Sequence, residues 1–286
     1  MLKVTFWGVR GSIPTSGMAT ARYGGHTSCV SISAEDAPPL VFDMGTGARE
    51  LGKALVEAGE RKVHVLLSHT HMDHLYALPY FEPIFESNSL VHLGVPSSSA
   101  MEARTRVGLY LNGIFHPLRI DDLAHNIRYY GVPSGAEFGV GPYEVETLRL
   151  VHPGGTVGYR ASLNGRTVCY VTDTGPLAHA GQGIMAGEEP TSMEQDLLHL
   201  ARDADCLVMD AMFGQDEYLN KQDWGHCYPE YAVRVGELAG VKKVALFHHS
   251  PDADDDTLDA LAQSWAAHTQ PEVIVAREGL SVSLEG

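Results

Sequence analysis

The chain is 286 residues long and carries 36 acidic against 20 basic residues, a formal charge of −16. That balance disfavours attraction to a long polyanion, so no long nucleic acid is expected as partner, while a small anionic substrate is compatible with it. No apolar stretch approaches a membrane span, and Met1 to Trp7 enters a strand pattern with no signal-peptide layout, so a cytoplasmic protein with no membrane partner is expected.

The length suffices for a sizeable core. Residues 4–7 read as a short strand, broken by Gly8, Gly11 and Pro14. Strands at 29–33 and 40–42 follow, an antiparallel meander with its turns toward one rim. Leu51, Ala54, Leu55 and Ala58 recur at helical spacing over 48–59, with Gly59 as C-cap. The apolar run 63–67 predicts a strand, and 75–85 a helix interrupted at Pro79 and Pro83. A strand at 90–95, a helix at 99–111 and strands at 127–132 and 143–151 come next. Residues 156–163 and 167–172 form a hairpin around Asn164-Gly165. Segment 175–192, rich in Gly, Ala and Pro, reads as a surface insertion or lid. Helices over 193–204, 228–238 and 255–268 alternate with strands at 206–209 and 244–247, and a closing pair of strands spans 272–284. With no internal repeat and no long linker, residues 1–286 read as one domain. Two blocks of strands with helices interspersed suit an α/β (α+β) fold in which two sheets pack face to face with helices outside. The four cysteines, Cys29, Cys169, Cys206 and Cys227, lack a C-x-x-C pair and read as buried thiols.

The chemistry concentrates in Ser68-His69-Thr70-His71-Met72-Asp73-His74. Imidazole and carboxylate are the donors that a borderline divalent cation prefers. If 63–68 is a strand, His69 and His71 leave its end on one side, because side chains alternate with period two. Asp73 and His74 then turn toward a second position, so one segment can serve two adjacent metals. His152, Asp173 and His248 each follow a predicted strand, and rigid strand ends hold ligands well.

His-x-His-x-Asp-His after an apolar strand resembles the signature of the metallo-β-lactamase superfamily of metal-dependent hydrolases, and the resemblance covers nearly the whole chain. It implies a four-layer αβ/βα sandwich, two mixed sheets face to face, with metals at the rim between them. Residue by residue it implies that His69, His71 and His152 hold one cation, that Asp73, His74 and His248 hold the other, and that Asp173 bridges them. Zinc is the expected metal, with manganese or iron open to the same N and O donors. His249 competes with His248, which directly ends its strand. Asp43 looks like an acid that orients a ligand histidine.

Asp223-Trp224-Gly225-His226, together with Asp210-Ala211-Met212-Phe213, resembles the phosphodiesterase branch, to which ribonuclease Z and cyclic-phosphate diesterases belong. There the histidine matching His226 is aimed at the substrate phosphate, and the acid matching Asp210 supports it. The long glycine-rich basic arm with which ribonuclease Z holds tRNA has no evident counterpart, and segment 175–192 is longer than the family usually has. Arg10, Ser12, His26 and Thr27 lie in glycine-rich turns expected to border the site, where they either touch a phosphate or are solvated loop residues, while His116 reads as a surface histidine, with pocket lining as the alternative. The expected enzyme cleaves a small or cyclic phosphodiester, such as a cyclic nucleotide, with a metal-bridging hydroxide. Asp73, His226 and Asp210 are its catalytic residues, and His226 assists the leaving group. The rival readings are hydrolysis of a lactone, β-lactam or thioester, and a non-catalytic metal-binding module. A homodimer is compatible with the sequence, which does not fix the oligomeric state.

Overall fold

The computed structural model describes residues 1–123, 125–177 and 182–285. Six strands come first: β1 (Leu2–Gly8), β2 (Cys29–Ala34), β3 (Ala37–Phe42), β4 (Lys62–Leu66), β5 (Leu90–Pro96) and β6 (Ile127–Val132). Seven more follow: β7 (Glu137–Val140), β8 (Tyr143–Arg149), β9 (Val157–Leu163), β10 (Arg166–Val171), β11 (Cys206–Asp210), β12 (Lys243–Phe247) and β13 (Glu272–Val275). The chain then returns through β14 (Ser281–Leu284) to its first sheet. The described strands make two seven-stranded mixed sheets, ordered β14-β1-β2-β3-β4-β5-β6 and β13-β12-β11-β10-β9-β8-β7.

The helices are α1 (Ala48–Glu57), α2 (Ala100–Tyr110), α3 (Ser192–Ala201), α4 (Gln215–Leu219), α5 (Pro229–Ala239) and α6 (Asp255–Trp265). Strand alternation sorts the apolar residues into three cores. Leu40, Phe42, Leu66, Tyr159, Tyr170, Val208 and Phe247 point between the sheets. Val41, Val63, Val65 and Leu93 face outward, against Leu51 and Leu55 of α1 and Val107 of α2. On the far side Val171, Met209 and Leu246 meet Leu197 of α3, Val235 of α5 and Leu258 of α6. Each sheet is thus covered on both faces, giving the expected four-layer sandwich. Phe42 stacks on Tyr170 with ring centroids 5.0 Å apart and so ties the two sheets directly beneath the rim.

Several expected elements take other forms. The helix expected over 75–85 is instead a series of 3₁₀ turns, with Leu78–Tyr80 and Glu82–Ile84 each carrying a proline in its first turn. Proline lacks the N–H that an α-helix would need at those positions. The closing strands do not pair with each other: β13 joins β12 and β14 joins β1. β7 was not foreseen; its short sequence Glu-Phe-Gly-Val becomes a strand by pairing with β8. Of the expected insertion at 175–192, residues 178–181 lie outside the described residues, whereas Leu177 and Ile184 are buried in the core beside Tyr231. All four cysteines are buried free thiols. Among the described residues no helix is long and apolar enough to cross a membrane.

Candidate metal centre and active site

Both sheets end at one rim, and their strand ends deliver the polar residues. Asp43 directly follows β3, Asp210 closes β11, His248 directly follows β12, and Asp173 lies two residues past β10. His152 departs from expectation: β8 ends at Arg149, so this histidine sits in the turn beyond it. Asp43, Asp173 and His248 share a left-handed backbone, with φ of 62°, 50° and 61°. Such a conformation costs a non-glycine residue roughly 1–3 kcal/mol and persists where surrounding contacts over-determine it. At Asp43 those contacts are visible. Its carboxylate accepts from the backbone N–H of Ser68 at 2.7 Å, the Ser68 hydroxyl at 2.8 Å, His74 Nδ1 at 2.7 Å and the Tyr170 hydroxyl at 2.8 Å.

The histidines and acids converge in two adjacent groups, His69, His71 and His152 in one and Asp73, His74, Asp173 and His248 in the other. His152 Nε2 lies 3.2 Å from His71 Nδ1. Asp173 faces both groups, with Oδ2 3.7 Å from His69 Nε2 and 3.6 Å from His152 Nε2. Its Oδ1 is 3.0 Å from His74 Nε2 and 3.1 Å from His248 Nε2. Asp73 Oδ2 completes the second group, 3.1 Å from His74 Nε2 and 3.4 Å from His248 Nε2. His249 turns away: its Nε2 donates to the Ala276 carbonyl at 2.8 Å, and burial pushes its pKa down to about 4.

These residues fit a pair of divalent cations. Metal–nitrogen bonds of 2.0–2.1 Å in a tetrahedron put neighbouring donors about 3.3 Å apart, close to the separations found. His69 Nε2 is buried with no hydrogen-bond partner, which is costly unless something else engages it. The charges agree. Burial opposes ionisation of Asp73 and Asp173, yet the neighbouring histidines hold both carboxyls well below the usual range. Burial likewise disfavours charge on His74 and His248, but Asp173 and its neighbours outweigh it; His74 is raised and His248 reaches about 9. His69, farther from the acids, is pushed down by burial and by His74.

Beside the second group lies an imidazole–carboxylate pair. His226 Nδ1 donates to Asp210 Oδ2 at 2.8 Å, leaving Nε2 for a substrate. Asp210 is itself fixed by the backbone N–H groups of Asp173, Met212 and Cys227. The His226 ring stands 5.1 Å from both the His152 and the His248 rings.

The glycine-rich turns divide. Arg10 is corrected: it is fully buried and donates to the carbonyls of Gly24, Ser250 and Ala253, so it braces loops and cannot reach a substrate. Thr27 is corrected likewise, since it is buried and its hydroxyl accepts from the Thr46 N–H. Ser12 remains at the site, its N–H donating to Asp73 Oδ2 at 2.8 Å. His26 is half-buried, with Nδ1 3.2 Å from the Thr46 hydroxyl. His116 follows the alternative reading: it is buried and lines a cavity beside the metal motif. Residues that sequence reasoning missed include Ser68 and Tyr170 around Asp43. Gly11 was also missed as a site residue; a Cβ there would lie 2.6 Å from His248 Nδ1. Apart from the adjacency of Ser68 to the motif, nothing in the sequence marks them.

Comparison with known proteins identifies the family. The ribonuclease Z of Halorubrum lacusprofundi is 28% identical over 87% of this chain and 86% of its own. The metallo-β-lactamase fold protein YhfI from Bacillus subtilis superposes with a TM-score of 0.69 at 20% identity, covering 98% of both chains. The short form of human tRNase Z gives 0.68 at 18% identity over 99% of both. Residues 40–249 match the family model of the β-lactamase superfamily domain, most of the sequence, and the chain belongs to that superfamily of metal-dependent hydrolases.

Proposed function

We propose that this chain is a dinuclear metal-dependent phosphodiesterase acting on a small or cyclic phosphodiester. The observation that carries the reading is the Asp173 carboxylate, whose two oxygens face separate donor groups at 3.0–3.7 Å. His69, His71 and His152 would hold one cation, Asp73, His74 and His248 the other, and Asp173 both; zinc suits donors of this kind. When bound, the cations supply an acidified water at neutral pH and neutralise charge building on the phosphoryl oxygens. Asp73, fixed by Ser12, accepts a hydrogen bond from the attacking nucleophile. His226 donates from Nε2 to the departing alkoxide, while Asp210 holds the opposite nitrogen protonated and compensates the ring's charge.

Activity on bis-p-nitrophenyl phosphate, measured with and without chelator on metal-quantified protein, tests the class of bond. His226→Ala tests the role of the imidazole. An alkyl phosphodiester should lose about 10²–10⁴-fold in kcat, as for removal of a general acid, while an ester with a good leaving group should lose little. Hydrolysis of lactones, β-lactams or thioesters with no phosphodiester turnover would overturn the reading.

A second reading, cleavage of an RNA end, is favoured by the name of the ribonuclease Z relative. The net charge of −16 favours the smaller substrate. Cleavage of a 3′-extended tRNA precursor at rates above those for cyclic nucleotides would select the RNA reading.

A further inference from the structure

A cavity of about 750 Å³ opens beside the metal motif, and Thr70 and Met72 of that motif form part of its wall. This volume falls within the roughly 300–1,000 Å³ of small-molecule sites. Five of the other eleven lining residues carry rings: Tyr76, Tyr80, Tyr110, Phe115 and His116. The lining also includes Arg49 and Arg106, whose guanidinium groups are paired with the carboxylates of Glu50 and Glu102.

The walls are braced. The backbone N–H of Leu118 donates to His116 Nδ1 at 3.1 Å, so Nε2 carries the ring proton and donates to the Tyr80 hydroxyl at 3.3 Å. His116 meets Tyr80 edge to face at 5.4 Å and lies 5.9 Å from the Tyr110 ring. The Tyr110 hydroxyl donates to the Tyr76 carbonyl at 3.2 Å. Phe115 is 78% exposed, yet its loop is fixed: Asn112 Oδ1 accepts from the N–H groups of Ile114 and Phe115 at 2.8 and 3.1 Å. Holding a large aromatic ring in water has a hydrophobic cost, which a stacking partner would relieve.

We propose that this cavity holds the planar aromatic base of the substrate, so that the phosphodiesters cleaved are nucleotidyl ones and Tyr80 and Phe115 set that preference. The inference rests on the phosphodiesterase reading above. A base stacks on aromatic faces whatever its edge pattern. Because the cavity wall includes the motif loop itself, a base seated there leaves its phosphate beside the donor groups.

The test is calorimetric binding of adenosine 5′-monophosphate and of ribose 5-phosphate to the metal-loaded protein, in wild type, Phe115→Ala and Tyr80→Ala. The nucleotide should bind at least about tenfold tighter than the sugar phosphate, and that ratio should fall to within about threefold in both variants. The kcat/KM ratio of thymidine 5′-p-nitrophenyl phosphate to methyl p-nitrophenyl phosphate should fall in parallel. Equal affinities in the wild type overturn the proposal. So does a preference that survives both substitutions, or a Phe115→Ala variant that changes elution volume in gel filtration while keeping the preference, which would mark the patch as a self-interface. If base preference holds but bis-p-nitrophenyl phosphate is not hydrolysed, the phosphodiesterase reading fails and the base site stands.

Discussion

Gly225 fixes His152 in two ways: its carbonyl lies 2.9 Å from His152 Nδ1, and its missing side chain leaves room for that ring. The carbonyl accepts, so Nδ1 carries the proton and Nε2 is the nitrogen free to bind a cation. A Cβ on Gly225 would sit 2.7 Å from His152 Nδ1, and the glycine's φ of +74° is unfavourable for other residues. Gly225→Ala should therefore displace His152 and weaken the metal proposed for His69, His71 and His152 about 10–100-fold, read by chelator competition. Metal binding unchanged from wild type would show that this glycine does not position a ligand.

Asp43 does comparable work for His74 from beneath the rim. Three donors, the hydroxyls of Ser68 and Tyr170 and the ring N–H of His74, meet at Oδ2. Asp43→Asn weakens or reorients that acceptor and leaves buried donors poorly paired. The metal-free protein should lose about 1–3 kcal/mol in urea denaturation. The metal held by His74 should weaken by about 10–100-fold. An unchanged urea midpoint together with unchanged metal affinity would remove Asp43 from this role.

Metal uptake should release protons. The acids around them raise His74 well above the ordinary histidine value and His248 to about 9, so both are charged at neutral pH and must lose a proton to coordinate. Each proton displaced makes affinity rise about tenfold per pH unit below the relevant pKa. The sign for the fold is the reverse. A histidine raised on folding stabilises the metal-free protein below pH 6.5, and for His248 that contribution disappears as pH rises through about 9. Zinc titrations at pH 7 in buffers of different ionisation enthalpy should show about two protons released for the metal of Asp73, His74 and His248. Zero release would mean that these imidazoles are already neutral.

Reading the sequence reached the residues of the two donor groups because their chemistry is local: histidines and aspartates clustered after strands announce themselves by type and position. What it could not reach depends on three-dimensional neighbours. Arg10 in Gly-Val-Arg-Gly-Ser has the composition of a phosphate-binding turn, yet its buried Nε and Nη1 donate to carbonyls, two of them some 240 residues away. The left-handed backbone at Asp43, Asp173 and His248 has no sequence mark, since glycine is the residue that usually announces it. The choice between His248 and His249 turns on which of two consecutive side chains faces the rim, fixed here by the pairing of β12 with its neighbours. The 3₁₀ turns after the motif were half-legible, since Pro79 and Pro83 forbid a regular helix without saying what replaces it.

At the other end of the sandwich, His64 on β4 stacks against His92 on β5 with ring centroids 4.9 Å apart. The Nε2 atoms of both are buried without a hydrogen-bond partner. Burial, then the charges of His92 and Lys62, push His64 down to about 4. Since the folded-state value lies below the unfolded one near 6.5, the unfolded chain binds the extra proton between pH 6.5 and 4. Stability is therefore lost as pH falls through that window, by up to about 1.4 kcal/mol per pH unit from this residue. His64→Phe keeps a planar ring and removes the titration. Urea denaturation of the metal-free protein at pH 7.0, 6.0 and 5.0 should show a shallower acid loss in the variant than in the wild type. Parallel slopes would place the acid sensitivity in other groups.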